Sequence, residues 1–269
     1  GRRGDGYHEI DSVAVAVDWH DLVGIDARPA AATAVRLRVS DDGRAGAPHG
    51  EDNLAARAAA ALAELAGPID VEVWLDKRIP SLAGLGGGSA DAAAVLRGCD
   101  GWTRLDRRTL LAVAASLGSD VPVAMEVGAQ RMGGRGELVT RVDAPPLHLA
   151  IAVAGASDTT AAYAATEDAD FEDSARVDRV VTSLAAGRDP DDGDLGSGLE
   201  AAACRASPEL DERLLALRAA VPEVRWHLTG SGGAAFALAA DAARAAELTA
   251  TARAAGFLAR ACRTVAAAR

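Results

Sequence analysis

The sequence predicts an α+β chain folded as two layered halves. Three observations carry that reading. Short apolar alternations at Val13–Val17, Val35–Val39 and Val71–Leu75 have the period of half-buried strands. Alanine-rich stretches with recognisable start and stop residues read as helices, and they do not alternate regularly with the strands. The pair Pro145-Pro146 interrupts both patterns and divides the chain into 1–144 and 145–269.

Each element follows from local chemistry. Beyond the first alternation, a second short strand is expected at Leu22–Asp26, and Val35–Val39 is a third. Residues 41–52 are turn-rich, and Asp52 or Asn53 can cap a helix that runs to Ala66 and stops at Gly67-Pro68. The strand at Val71–Leu75 ends by Pro80. A glycine run follows, then a helix from about Ser89 to Leu96 and another from Asp106 to Leu117, terminated by Gly118. A strand is expected after Pro122, then a hairpin reaching Val142, and a strand at Leu147–Val153. Helices are expected at 160–166, 173–185, 208–220 and 241–255. A strand–glycine turn–strand is expected at Trp226–Leu238, and a last strand near Arg260–Val265.

Bulk properties narrow the class. The 269 residues suffice for one large domain or two modest ones, and 49% hydrophobic with 25% charged residues is a globular balance. No run of 18 apolar residues and no secretory signal pattern is present, so no membrane partner and a cytoplasmic address are expected. Against 28 basic residues stand 39 acidic ones, a net charge of −11, which argues against nucleic acid as a partner. An anionic ligand therefore needs a local positive site, of the kind backbone N–H groups make at a helix start. Cys99, Cys204 and Cys262 have no metal-ligand spacing and read as small buried hydrophobes; the five histidines form no metal pattern.

The strongest local signal is Pro80-Ser81-Leu82-Ala83-Gly84-Leu85-Gly86-Gly87-Gly88-Ser89-Ala90, between an expected strand and an expected helix. Its four glycines let the backbone take positive φ and approach a ligand closely. Successive N–H groups can then converge on phosphate oxygens, with the helix dipole behind them. Ser89 stands at the helix start, where its hydroxyl could meet a phosphate or a bound Mg²⁺. The segment is not a Walker A loop, because Gly88 is followed by Ser89-Ala90 and not by Lys-Ser/Thr. It is not a dinucleotide fingerprint either, since the sixth position from Gly84 is Ser89 and from Gly86 is Asp91. A flexible linker is the plain alternative, and an alternating strand on one side with a helix on the other argues against it.

Pro-x-x-x-Gly-Leu-Gly-Gly-Gly-Ser-x-Asp-Ala resembles the phosphate loop of the GHMP kinases. Leu228-Thr229-Gly230-Ser231-Gly232-Gly233 is similar to the family's C-terminal glycine motif, and Gly118-Ser119-Asp120-Val121-Pro122 to the segment with its catalytic aspartate. Gly1-Arg2-Arg3-Gly4-Asp5-Gly6-Tyr7-His8 resembles the branch that phosphorylates a cytidine-diphosphate sugar alcohol on the non-mevalonate route to isoprenoids. The resemblance implies a GHMP kinase fold, with an N-terminal α+β half, a C-terminal ferredoxin-like half, and the active site in the cleft between. It implies ATP and Mg²⁺, with Pro80 to Ala90 as the ATP clamp, Ser89 near the metal and Asp120 as the general base. It also implies Tyr7, His8 and Tyr163 at the cytosine, and Gly230, Ser231, Gly232 and Gly233 as secondary substrate-binding positions. Ordinary core packing remains an equal reading for Tyr163, and turn geometry for the second glycine run.

The chain also departs from the pattern. Ala90 stands for a usual serine, Val123 for a usual phenylalanine, and Ser197-Gly198 for a usual Asn-Asp pair. The family's opening strand, with a lysine and an asparagine, would precede Gly1. An N-terminally shortened chain is therefore expected, with weak ATP binding or slow turnover. Lys77, the one lysine, either matches a common lysine before the loop or is a solvated strand residue. Another GHMP small-molecule kinase, or a nucleotide-binding relative without turnover, remains the alternative reading.

Overall fold

The computed structural model describes residues 9–41, 46–98, 103–170 and 175–266. Tyr7 and His8 lie outside them.

The first half opens with three strands, β1 (Ile10–Val15), β2 (Leu22–Pro29) and β3 (Ala34–Ser40). Helix α1 (Leu54–Ala66) follows, with Asn53 accepting from the Ala55 N–H as its N-cap and Gly67 (φ +98°) closing it, as the sequence implies. Strand β4 (Ile69–Asp76) lies between β2, antiparallel, and β3, parallel. Its alternation is complete. Ile69, Val71, Val73 and Leu75 are buried, while Asp70 and Glu72 on the other face pair with Arg28, Arg36 and Arg38.

Helices α2 (Gly87–Gly98) and α3 (Arg107–Leu117) cover the buried face together with α1. Asp106 caps α3 and Gly118 ends it. The strand expected after Pro122 is absent. Val121–Ala124 form the short helix α4, because Pro122 occupies a first-turn position where its fixed φ suits a helix and its missing N–H is not needed. The expected hairpin is present as β5 (Ala129–Gly134) and β6 (Leu138–Val142), and β1 pairs antiparallel with β5.

Past Pro145-Pro146 come β7 (His148–Val153), α5 (Thr159–Ala164), α6 (Ala175–Ala185), α7 (Glu200–Ala206), α8 (Pro208–Ala220), β8 (His227–Leu228), β9 (Ala234–Ala239), α9 (Ala242–Ala254) and β10 (Leu258–Arg263). Helix α7 was not expected from the sequence. The four strands form an antiparallel sheet in the order β10-β7-β9-β8, which is a ferredoxin-like arrangement.

This sheet is the middle layer of the molecule. Ala150 and Ala152 of β7 face α8 and α9, and Leu149 and Ile151 face Trp19, Ile79 and Ala83 of the first half. Burial on both faces explains why β7 reads as a continuous apolar run without alternation. The chain beyond β1 completes the join: Val17 bridges Thr264, and the Asp18 carboxylate accepts from the Arg263 N–H at 2.9 Å. Among the described residues, no helix is long and apolar enough to cross a membrane.

Leu214 is wholly buried on α8 within the second core. Leu214→Ala should lower the unfolding free energy by about 2–5 kcal/mol, through lost burial and an incompletely refilled cavity. Urea denaturation followed by circular dichroism checks this.

Candidate active site

The glycine loop is held at both ends and in the middle. At its entry, Asp21, the residue before β2, accepts from the backbone N–H groups of Arg78 (2.5 Å) and Ile79 (2.8 Å) through Oδ1. Oδ2 of the same carboxylate accepts from Lys77 Nζ, which also donates to Asp91 of α2 at 2.7 Å. All three side chains are buried. Lys77 is thus no solvated strand residue. Trp19 Nε1 adds a bond to the Arg78 carbonyl at 3.0 Å.

The middle of the loop docks on the second half. The Ala83 carbonyl accepts from Ala234 N–H at 2.7 Å, and the Leu82 carbonyl from Ser157 N–H at 2.9 Å. The second glycine run lies directly beneath. A Cβ on Gly233 (φ +105°) would stand 2.5 Å from Ala83 Cα, and one on Gly84 (φ +69°) would stand 2.6 Å from the Thr229 carbonyl oxygen. Two backbones approach here at a spacing that only glycine permits.

At its exit the loop becomes α2, which starts two residues earlier than the sequence suggests, at Gly87. The first turn's backbone bond runs from Ala90 N–H to the Gly86 carbonyl at 2.8 Å. The N–H groups of Gly87, Gly88 and Ser89 therefore have no carbonyl within the helix to donate to, and the positive end of the helix dipole lies behind them. Gly84, Gly86 and Gly88 are exposed, and Ser89 is half-buried in that first turn.

Opposite charges shape the floor beneath. Burial pushes the Asp91 carboxyl up to about 6, although Lys77 opposes that rise. Burial alone would lower Lys77; the two carboxylates outweigh it, Asp91 foremost, and hold Lys77 above the ordinary lysine value.

Asp120 precedes α4 and caps nothing with its side chain. It stays open to solvent on one side, yet the protein around it strips enough water to raise its carboxyl above the usual carboxylate value. The tight fit of Gly136 (φ +115°) against the Ser119 carbonyl fixes the β5–β6 turn under this segment. Tyr163 of α5 is half-buried; burial, and then the charge of Asp120, raise its phenol. The two side chains therefore lie within electrostatic reach of each other. One turn before Tyr163, Thr159 Oγ1 meets Ser231 Oγ at 2.8 Å. Ser157 Oγ donates to the Ser231 carbonyl (2.6 Å), and Ser197 Oγ to the Gly230 carbonyl (2.5 Å).

These interactions join the glycine loop, the second glycine run, Tyr163 and Asp120. Of the second run, Gly230 and Ser231 reach the surface, whereas Gly232 and Gly233 are buried and seat the loop. The 470 Å³ hollow between Trp19, Arg78, Pro80, Arg253 and Arg260 lies behind the loop and includes none of Gly84–Ser89, Asp120 or Tyr163. Sequence reasoning missed Asp21 and the pairing of Asp91. The one signal for them was a lone lysine beside an apolar strand, where burial demands carboxylate partners.

Residues 53–128 match the GHMP kinases N terminal domain. A homoserine kinase structure from Cytophaga hutchinsonii, 18% identical, superposes with a TM-score of 0.70 over 95% of this chain and 89% of that one, which shows the shared fold. Fold and loop together define a small-molecule kinase of the GHMP type. The 4-diphosphocytidyl-2-C-methyl-D-erythritol kinase of Salinispora tropica is 39% identical over 92% of this chain and 81% of its own length. That of Cereibacter sphaeroides is 35% identical over 90% and 84%. A crystal structure of 4-(cytidine 5'-diphospho)-2C-methyl-D-erythritol kinase, 32% identical, superposes with a TM-score of 0.79 over 98% of this chain and 92% of that one. The chain belongs to the 4-diphosphocytidyl-2-C-methyl-D-erythritol kinase family.

Two outcomes follow. Gly233→Ala should destabilise the fold by roughly 2–4 kcal/mol, from a strained φ and a backbone clash with the loop, read as a lowered urea midpoint. Folded Asp91 holds its proton more tightly than the unfolded chain does. The stability linked to it is therefore full below about pH 4 and is lost as pH rises through about 6. Asp91→Asn should flatten that fall in a series of urea midpoints between pH 4 and 8.

Proposed function

We propose that this chain transfers the γ-phosphoryl group of ATP to the hydroxyl of 4-diphosphocytidyl-2-C-methyl-D-erythritol. The observation that supports it most is the docking of the phosphate loop on the second glycine run, beside Asp120 and Tyr163. In this reading the halves 1–144 and 145–269 meet at the reaction cleft.

Each group has one task. The N–H groups of Gly87, Gly88 and Ser89, with the helix dipole behind them, hold the phosphates and offset their negative charge. Asp120 accepts the proton of the acceptor hydroxyl as its oxygen bonds to the γ-phosphorus and the bond to the β-phosphate oxygen breaks, releasing ADP. Partial desolvation suits Asp120 to this role by making it a stronger base. Tyr163 would lay its ring against the cytosine, and Tyr7 and His8 are proposed for the same pocket.

Among the described residues, no group of three or more acidic, histidine or cysteine side chains could cage a metal ion. In this reading Mg²⁺ would be carried largely by the nucleotide's own phosphates, with the half-buried Ser89 hydroxyl in the first turn of α2 as one protein oxygen. Bound there, Mg²⁺ would neutralise phosphate charge.

Asp120→Asn should lower kcat at least 100-fold while ATP affinity stays within about three-fold, since it removes the base but not the phosphate cradle. A coupled ADP-release assay checks the first, and calorimetric titration the second. Turnover that survives the substitution contradicts the assignment. Tyr163→Ala should weaken binding of a cytidine diphosphate ligand about ten-fold or more and leave ATP binding unaltered.

A further inference from the structure

We propose that Asp21, Lys77 and Asp91 form a buried three-charge clamp that holds the phosphate loop ready for nucleotide, with Lys77 as a positioning residue. The inference rests on the ATP-binding reading of the loop given above.

The geometry is specific. Loop residues 80–86 form an arch whose two feet stand on one charge centre. The entry foot is fixed because Asp21 Oδ1 accepts two consecutive backbone N–H groups, Arg78 and Ile79. The exit foot is fixed because Asp91 lies one turn into α2 from Gly87 and accepts from Lys77 Nζ. Lys77 joins the feet by donating to both carboxylates. Its side chain is 3% exposed, so it does not present its ammonium at the loop's surface. Gly87 rests on the same centre. A Cβ there would stand 3.0 Å from Ile79 Cγ2 and 3.4 Å from Asp21 Oδ2, so a side chain on the first residue of α2 would require Ile79 to give way by a few tenths of an ångström.

Energetics argue that the clamp serves the loop. Burying three charges costs desolvation that a well-packed apolar trio would avoid, so such a cluster is weak as a device for stability alone. The loop, in contrast, needs restraint. Leu82 is 65% exposed and has φ +59°, a conformation that disfavours any residue with a Cβ. Backbone strain of this kind persists only where the surroundings overdetermine it. Here the two feet and the docked middle do so. Without the clamp the arch keeps its central attachment and, at the entry, the single Trp19–Arg78 bond, and binding ATP must then restrain both feet. That ordering weakens affinity while leaving the chemistry of the bound complex unchanged.

The test uses the full chain with Lys77→Met, and Asp91→Ala against Asp91→Asn. Native-state hydrogen exchange without nucleotide reports on amides 82–91, and calorimetry reports the dissociation constants of ATP–Mg²⁺ and of cytidine diphosphate. Lys77→Met and Asp91→Ala should speed exchange in this segment about ten-fold and weaken ATP about ten-fold, with cytidine diphosphate within three-fold. Asp91→Asn, which can still accept from Lys77, should restore both. Where Lys77→Met is too unstable to purify, the Asp91 pair alone carries the comparison. Unchanged exchange in Asp91→Ala overturns the clamp. Faster exchange with unaltered ATP affinity overturns the proposal by removing the ATP-binding reading beneath it. A parallel loss of both ligands overturns it as a general destabilisation.

Discussion

The contact between two glycine-rich backbones is the constraint on which the site depends. Gly84 and Gly233 bring main chains from the two halves closer than any side chain would allow. Hydrogen bonds from Ala234 and Ser157 then fasten the glycine loop to the second half. Removing Cβ atoms leaves backbone dipoles exposed at this point, in a protein whose net charge is −11. Positive potential is concentrated where the helix begins.

The same contact ties the glycine loop to Tyr163 and Asp120 by a short series of interactions. Ser231 continues the second glycine run and meets Thr159, and Thr159 lies one turn from Tyr163. Tyr163 in turn feels the charge of Asp120. A shift of the loop would therefore be transmitted by way of a single hairpin and one helical turn, with no long relay between the halves.

Much of this was legible in the sequence because it is local. Asn53 with Gly67, and Asp106 with Gly118, bound α1 and α3 through caps written in consecutive residues. The glycine run is legible in its own spacing, and the Asp120 segment through its likeness to the family's motif. What was not legible is non-local. Val121–Ala124 is a helix because Pro122 starts a turn over a buried floor, whereas apolar alternation alone suggests a strand. Helix α7 is held by its packing against α5 and α8 more than by any cap. Lys77 could be read as solvated because its partners are 56 and 14 residues away. Gly232 and Gly233 look like a hairpin turn until the loop that covers them is in place.

The middle sheet has a consequence for the protein's architecture as a whole. Leu149 and Ile151 share one apolar cluster with Trp19, Ile79 and Ala83 of the first half. The proline pair therefore marks a change in topology but not a place where the molecule could be divided. Each half supplies part of the other's wall, and the two share one interior where they meet.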